Sequence, residues 1–364
     1  MTPSIFLRII DGKLILWNYA NHDQYEIDIR HLERMMQLSN GAEAECGPID
    51  EAISESGCFN QADPKDWGWD CLSRIFHIGT QIGLRPGESM PIDDGYSGYI
   101  EYCASIAHKI PRLTVEREGE VVPLPPPELA NLERVTLWQA LERRQTCRAF
   151  DREALSLDDV ATTLWATFGT VHGDIRKDLE AQGLMPVGYR RTSPSGGSLH
   201  PSEAYLVAMR ITGLAPGIYH YRSHKHELSV VRRGFDPEQL GPLLCAQNFA
   251  NDLSYGVFVT SRFDKMWWKY PHSRAYRVAL LDIGCLTQTF QLVCTAKSVQ
   301  SWPTGYFIDH EINQLLDLDT DVESVMFFLG RGKEMGRLHE RRSVHCVDWQ
   351  PGSHDAFASH ETRS

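Results

Sequence analysis

Several things are missing from this 364-residue sequence, and each absence removes a class of function. There is no C-x-x-C pair. The nine cysteines (Cys46, Cys58, Cys71, Cys103, Cys147, Cys245, Cys285, Cys294 and Cys346) are odd in number and scattered, so the expectation is reduced thiols, not a zinc site or a disulfide framework. There is no surplus of positive charge. With 36 Lys+Arg against 48 Asp+Glu, the formal net charge of −12 excludes a general attraction to phosphate backbones or anionic lipid and leaves room for a local basic pocket. Long apolar runs are also lacking. Arg8, Asp11 and Lys13 interrupt the first apolar stretch, which fits neither a secretory signal nor a spanning helix, and no later run is expected to cross a bilayer. A cytoplasmic location follows as an expectation. No G-x-G-x-x-G unit is present, so a separate dinucleotide domain is not indicated.

What is there suffices for a core: 42% of residues are hydrophobic and 23% charged, close to the roughly 45–50% and 25% of globular domains. The composition shifts at residues 118–127 (EGEVVPLPPP), where four prolines in five residues favour an extended linker or surface-crossing strap. This divides the chain into an N-terminal module (1–117, winged-helix-like or dimer-extending), the linker (118–128), a main domain (129–336) and a polar tail expected to be mobile (337–364). In the module, an alternating apolar run covers residues 6–19. A helix is expected over 27–38 with Ile29, Leu32, Met35 and Met36 on its apolar face, and a second over 66–83.

Past the linker, Thr136 and Gln139 form a capping-box pattern that opens a helix ending near Arg143 and Arg144. Ser156 and Asp159 repeat it ahead of Leu157, Val160, Ala161, Leu164, Trp165 and Phe168, one apolar stripe that stops at Gly169. Short β-type runs at 205–211, 217–221 and 228–231 read as an antiparallel meander, joined by strands at 255–260 and 325–329. Between these last two, 273–297 reads as a long buried helix.

Two segments carry the chemistry. In residues 143–151 (RRQTCRAFD), Arg144, Thr146 and Arg148 alternate, so an extended chain turns all three side chains the same way, towards one phosphate. The same triplet also reads as a solvated basic turn. In residues 190–205 (RRTSPSGGSLHPSEAY), Gly196 and Gly197 allow a flat ligand to approach the main chain, while Ser195 and Ser198 add hydroxyls. The G-x-S-x-G register fails at both serines, so a hydrolase elbow is not indicated. His220, His224 and His226 invite a metal reading, but they flank a polar turn where solvated histidines are common. Trp267, Trp268, Tyr270 and His272 are either core or an aromatic wall beside a planar ligand.

These segments, with GLAPGIYHY at 213–221 and KYPHSRAYR at 269–277, occur in an order that resembles the nitroreductase-like flavoproteins over about residues 129–333. The nearest type is the SagB-type dehydrogenases that include the thiazole/oxazole-forming azoline oxidases. The resemblance implies an α+β fold with a mostly antiparallel central sheet, a long buried helix, and FMN held non-covalently at a homodimer interface. By position, Arg144, Thr146 and Arg148 would hold the FMN phosphate, with Arg331 and Lys333 as further candidates. Pro194, Ser195, Gly196 and Gly197 would line the isoalloxazine. Gln288 matches the glutamine of the family's long-helix motif, whereas Cys285 and Thr289 stand where its usual residues differ, which weakens any polar role there. Lys269 and Tyr270 match the Lys-Tyr motif of the azoline oxidases. Tyrosine ordinarily titrates near ~10, and an adjacent ammonium favours the phenolate a base requires. The pair also reads as a helix-start cation and a packing aromatic. The implied activity is desaturation of an azoline ring or related C–N bond on a peptide or carrier-protein-bound substrate, with dioxygen restoring the flavin. An NAD(P)H-dependent reductase and an inactive scaffold in a peptide-modifying complex are the alternatives.

Overall fold

The computed structural model describes residues 5–45, 47–58, 67–83, 95–172 and 190–335. The expected tail, Cys46, Cys346 and the start of the second expected helix at Asp66 lie outside them. The alternating run forms a hairpin. Strands β1 (Ile5–Ile10) and β2 (Lys13–Asn18) pair antiparallel around Asp11 and Gly12, whose φ values of 50° and 77° are the two positive values that a tight two-residue turn needs. Strand β3 (Gln24–Ile27) pairs with β2, and helices α1 (Ile29–Ser39), α2 (Pro48–Glu55), α3 (Cys71–Gly79) and α4 (Gly95–Ile106) follow. Asp28 caps α1 by accepting from the amides of Arg30 and His31. The buried stripe of α1 runs through Leu32, Met35 and Leu38 against Leu16 and Ile53. Ile29 and Met36, expected on that face, are 60% and 59% exposed, because the stripe is centred further round the helix.

The linker is more than a strap. Its residues Val121–Pro123 form β4, which pairs antiparallel with residues 227–229 and extends the main sheet. Proline is tolerated there because β4 is an edge strand. The main region continues with α5 (Ala130–Glu133), α6 (Leu137–Arg143), β5 (Leu155–Ser156), α7 (Leu157–Phe168), β6 (Ser202–Ala208), β7 (Ile211–Thr212), β8 (Gly217–Arg222), β9 (Glu227–Arg233), α8 (Leu240–Leu243), β10 (Tyr255–Arg262), α9 (Phe263–Lys269), α10 (Arg274–Ala296), β11 (Gln300–Thr304), α11 (Asp309–Leu315) and β12 (Glu323–Gly332). Seven strands form one antiparallel sheet in the order β11-β12-β10-β6-β8-β9-β4. The class is therefore α+β, as expected. Both faces are covered: along β6, Ala204, Leu206 and Ala208 face a core shared with α7 and α10, and Tyr205 and Val207 face a second core shared with α11.

Both cap motifs hold their helices. Thr136 Oγ1 accepts from the Gln139 amide at 3.2 Å and Gln139 Oε1 from the Thr136 amide at 3.0 Å. Ser156 Oγ accepts from the Asp159 amide at 3.1 Å, but the Asp159 carboxylate is turned to Lys297 and Arg331 and closes no box. Helix α10 corrects two expectations. Its 23 residues are long and apolar enough, by length and composition, to span a bilayer, and it is not buried all round. Ile283, Leu286, Phe290 and Cys294 enter the core, while Leu281 on the opposite side is 67% exposed, next to Gly284, Cys285 and Gln288. The charged residues within α10 fall near its first turns and at Asp282, so the apolar stretch reads as continuous although only one side is packed.

Candidate functional site

The segment carrying Arg144, Thr146 and Arg148 is extended and lies along the edge of the sheet. Thr146 bridges Ser301 of β11, the Cys147 amide donates to Ser301 O at 3.1 Å, and Phe150 bridges Glu334. Cys147 and Phe150 point inward and are buried, whereas Thr146 and Arg148 are exposed and Arg144 half-buried. Among the described residues, neither guanidinium has a hydrogen-bond or ion-pair partner, so both are available to an anion. The Asp151 amide donates to Lys333 O at 3.2 Å, which lays the segment beside the end of β12 and brings Lys333 next to the triplet. Lys333 Nζ itself is paired with Glu153. Arg331 has a different role from the one its position suggested. It is 0% exposed, with its guanidinium on Asp159 (2.7 Å), Thr163 and the Tyr255 hydroxyl (3.0 Å), so it offers no donor to a surface phosphate. Alternation along β12 turns its side chain into the core, towards α7.

The glycine loop is a short helical turn at Gly196–Ser198, and Gly197 adopts φ +61°. Both glycines are needed for close packing within the chain itself. A Cβ on Gly196 would overlap Val278 of α10, and one on Gly197 would overlap the Tyr270 hydroxyl and lie 3.1 Å from Lys269 Nζ. Sequence reasoning missed the residue that fixes this loop. Asp282 of α10, 6% exposed, accepts the Ser195 hydroxyl at 2.6 Å and the Gly196 amide at 3.1 Å, and Ser195 Oγ in turn accepts from the His200 amide at 2.9 Å. Burial pushes the Asp282 carboxyl above its ordinary value, although both donors pull the other way. Its signal in the sequence was a lone acid in an otherwise apolar run.

Lys269 and Tyr270, at the end of α9, meet this loop. Lys269 is 7% exposed and its Nζ donates to Gly197 O at 3.1 Å, 5.7 Å from the Tyr270 ring centre. Burial lowers the proton affinity of the Lys269 amine. The serine-glycine loop thus meets two segments that lie about seventy to ninety residues further along the chain, the Lys-Tyr pair and α10, in one small volume. Beside it, Tyr270 lines a cavity of about 620 Å³ together with Phe263, Met266, Trp267 and His272. The aromatic cluster therefore divides: Trp267, Tyr270 and His272 form a wall, while Trp268 packs inward and donates from Nε1 to Ile106 O at 2.9 Å.

Position 289 keeps a polar task, since Thr289 Oγ1 and Ser193 Oγ are 2.6 Å apart and tie α10 to the start of the loop. Gln288 is exposed on the outer side of α10. The three histidines diverge: His220 meets Glu203 at 3.2 Å, His224 meets Glu116 at 3.4 Å, and His226 meets Tyr221 and Pro125 O. Under the loop, Lys265 donates to Leu113 O and His200 O, both at 3.0 Å, and burial brings its amine down to about 8.

A family model described as the nitroreductase family matches residues 141–333, more than half of the chain. A protein of Methanocaldococcus jannaschii carrying a nitroreductase name is 21% identical over 191 residues, which are 52% of this chain and 89% of the relative. The trifolitoxin-processing protein TfxB of Rhizobium leguminosarum bv. trifolii is 26% identical over 141 residues, 38% of each chain. A solved structure of a protein named as a nitroreductase from Anabaena variabilis superposes with a TM-score of 0.50 at 21% identity, covering 75% of this chain and 49% of that one. The chain thus spans less than half the length of the Rhizobium and Anabaena proteins it matches.

Proposed function

The chain belongs to the nitroreductase family, and from that premise we propose that it is an FMN-dependent dehydrogenase acting on an azoline ring or a related amino-acid-derived C–N bond in a peptide or carrier-bound intermediate. The observation that carries this reading is the meeting of Lys269 and Tyr270 with Gly197, which sets a candidate base beside the loop assigned to the flavin ring. The donor set fits the cofactor: two guanidiniums without a partner among the described residues and a hydroxyl on one extended edge suit a phosphate monoester. Bound FMN supplies a two-electron acceptor that dioxygen re-oxidises, giving peroxide. The chain's own residues do the rest. Tyr270, acting as a phenolate beside the Lys269 ammonium, takes the carbon-bound proton and becomes the neutral phenol, and Asp282 holds the loop against both. A peptide substrate is favoured by the Rhizobium relative, whose name records trifolitoxin processing.

A homodimer is part of this reading. Leu137 and Trp138 of α6 are 68% and 70% exposed, and α6 packs on α10, where Leu281 is equally open. These are exposed apolar side chains on two helices that pack together, of the kind that subunits cover. The nitroreductase names of the archaeal and cyanobacterial proteins favour a second reading, an NAD(P)H-dependent reductase.

The test begins with the visible spectrum of the purified protein. We expect flavin bands, bleaching by a thiazoline peptide and none by NADPH under anaerobic conditions. Lys269→Ala and Tyr270→Phe should keep the flavin and lose peroxide formation by about 10²–10⁴-fold. A protein that stays colourless in FMN, or full turnover in both variants, overturns the reading. Bleaching by NADPH alone transfers it to the reductase.

A further inference from the structure

Next to the cavity lined by Tyr270 lies a second of about 720 Å³, and the two share Pro271, His272 and Ser273. Both fall within the 300–1,000 Å³ typical of ligand pockets. The far wall of the second comes from the N-terminal module: Phe6 and Trp17, stacked at 5.3 Å on β1 and β2, face Leu72 and Phe76 of α3. That wall is fastened to the loop that follows Tyr270 and to the start of α10. Ser273 Oγ donates to Gly79 O at 2.9 Å, and Arg277 donates to Phe76 O at 3.3 Å and to His77 O. Among the described residues, no carboxylate lines this cavity, and its ionisable groups are Tyr19, His22, His272 and Arg274. A lysine side chain entering it would give up water without gaining a counter-charge, whereas an apolar one loses nothing by leaving water.

We propose that one extended peptide occupies both cavities, with the reacting ring beside Tyr270 and an aromatic or branched aliphatic side chain of a nearby residue between Phe6, Trp17 and Phe76. The N-terminal module then acts as the wall that selects what flanks the reacting residue. An extended chain advances about 3.3–3.6 Å per residue, so a side chain near the reacting one can enter the adjoining cavity across the shared residues 271–273. The inference rests on the reading of the substrate as a peptide and adds which side chains that peptide carries.

The experiment uses the full-length, FMN-loaded protein and fluorescein-labelled tetrapeptides that carry an unreactive thiazole, with Phe, Leu, Lys or Asp at the next-but-one position. Fluorescence anisotropy should rank Phe and Leu at least tenfold tighter than Lys, with Asp, which Arg274 can pair with, between them. Leu72→Glu, at a site 70% exposed and so tolerant of charge, and Phe76→Ala should each abolish that preference while flavin content and circular dichroism stay unchanged. Tyr270→Phe should keep it. Equal binding of the four peptides, or a preference that survives both wall variants, overturns the inference. Thiazoline turnover without side-chain preference would sink this inference alone; preference without turnover would sink the proposed chemistry and leave the cavity's role standing.

Discussion

Arg148 and Arg331 start from the same expectation, a cation for a phosphate, and the fold gives them opposite roles. Arg148 lies on the outermost strand-like segment of the sheet edge, exposed and without a partner among the described residues. Arg331 sits two strands further in, fully enclosed, balanced by Asp159 and held by Thr163 and Tyr255. One arginine is free to bind and the other is part of the core. The difference is one of sheet position and strand phase, and neither is written in the local residue types.

Arg331→Met gives the largest effect and tests the structural half of this contrast. Removing one partner of a buried pair costs about 3–5 kcal/mol, because the Asp159 carboxylate is left with Lys297 alone. Urea denaturation of the flavin-free protein should show that loss. Wild-type stability together with lost flavin would instead make Arg331 a phosphate ligand. The binding half is tested by Arg144→Ala and Arg148→Ala. Hydrogen bonds to charged groups contribute about 1.5–3 kcal/mol each, so each variant should weaken FMN about ten- to a hundredfold by flavin-fluorescence titration, with little change in unfolding. Unchanged FMN affinity in the double variant would return the triplet to a solvated basic turn.

What was legible in the sequence was local. Thr136 with Gln139 and the stripe from Leu157 to Phe168 specify their helices through contacts three and four residues apart, and both helices form as expected. The antiparallel order of β6, β8 and β9 also follows from short turns. The site was less legible because its contacts span long separations. Asp282 meets Ser195 across 87 positions, and Lys269 meets Gly197 across 72. A glycine pair in a loop says that something comes close, but not what: here it is Val278 and Tyr270 of the same chain. Strand β11 and the strand inside the proline-rich linker were invisible for the related reason that edge strands need little apolar patterning.

Asp282 sharpens the comparison from inside the site, since it is a buried charge engaged with neutral donors instead of a cation. Burial raises its folded-state pKa above the ordinary 3.8, so the folded chain binds the proton more tightly than the unfolded one. Its contribution to stability is then complete below that ordinary value and is lost as the pH rises through the raised one. Asp282→Asn, which stays neutral, should flatten that part of the stability profile when urea midpoints are compared with wild type across the acid range. The same substitution should loosen Ser195 and Gly196 and weaken FMN less than either arginine change. Identical pH profiles for variant and wild type would mean that the loop does not depend on this carboxylate.

Lys333 lies between the two cases and should give the smallest effect. Its main-chain oxygen anchors Asp151 beside the phosphate edge, and its ammonium is partly exposed and paired with Glu153. A solvated pair of this kind adds little to stability, so Lys333→Ala should leave the unfolding curve where it was. Binding of FMN distinguishes the two roles of the side chain. If the ammonium turns to the phosphate when FMN binds, it must first leave Glu153, and that competition makes its contribution smaller than that of Arg148, which leaves no partner. Glu153→Ala removes the competitor, so it should tighten FMN a few-fold, whereas Lys333→Ala should weaken it a few-fold. Equal affinities in both variants and in wild type would confine Lys333 to the surface pair and leave Arg144, Thr146 and Arg148 as the whole of the phosphate edge.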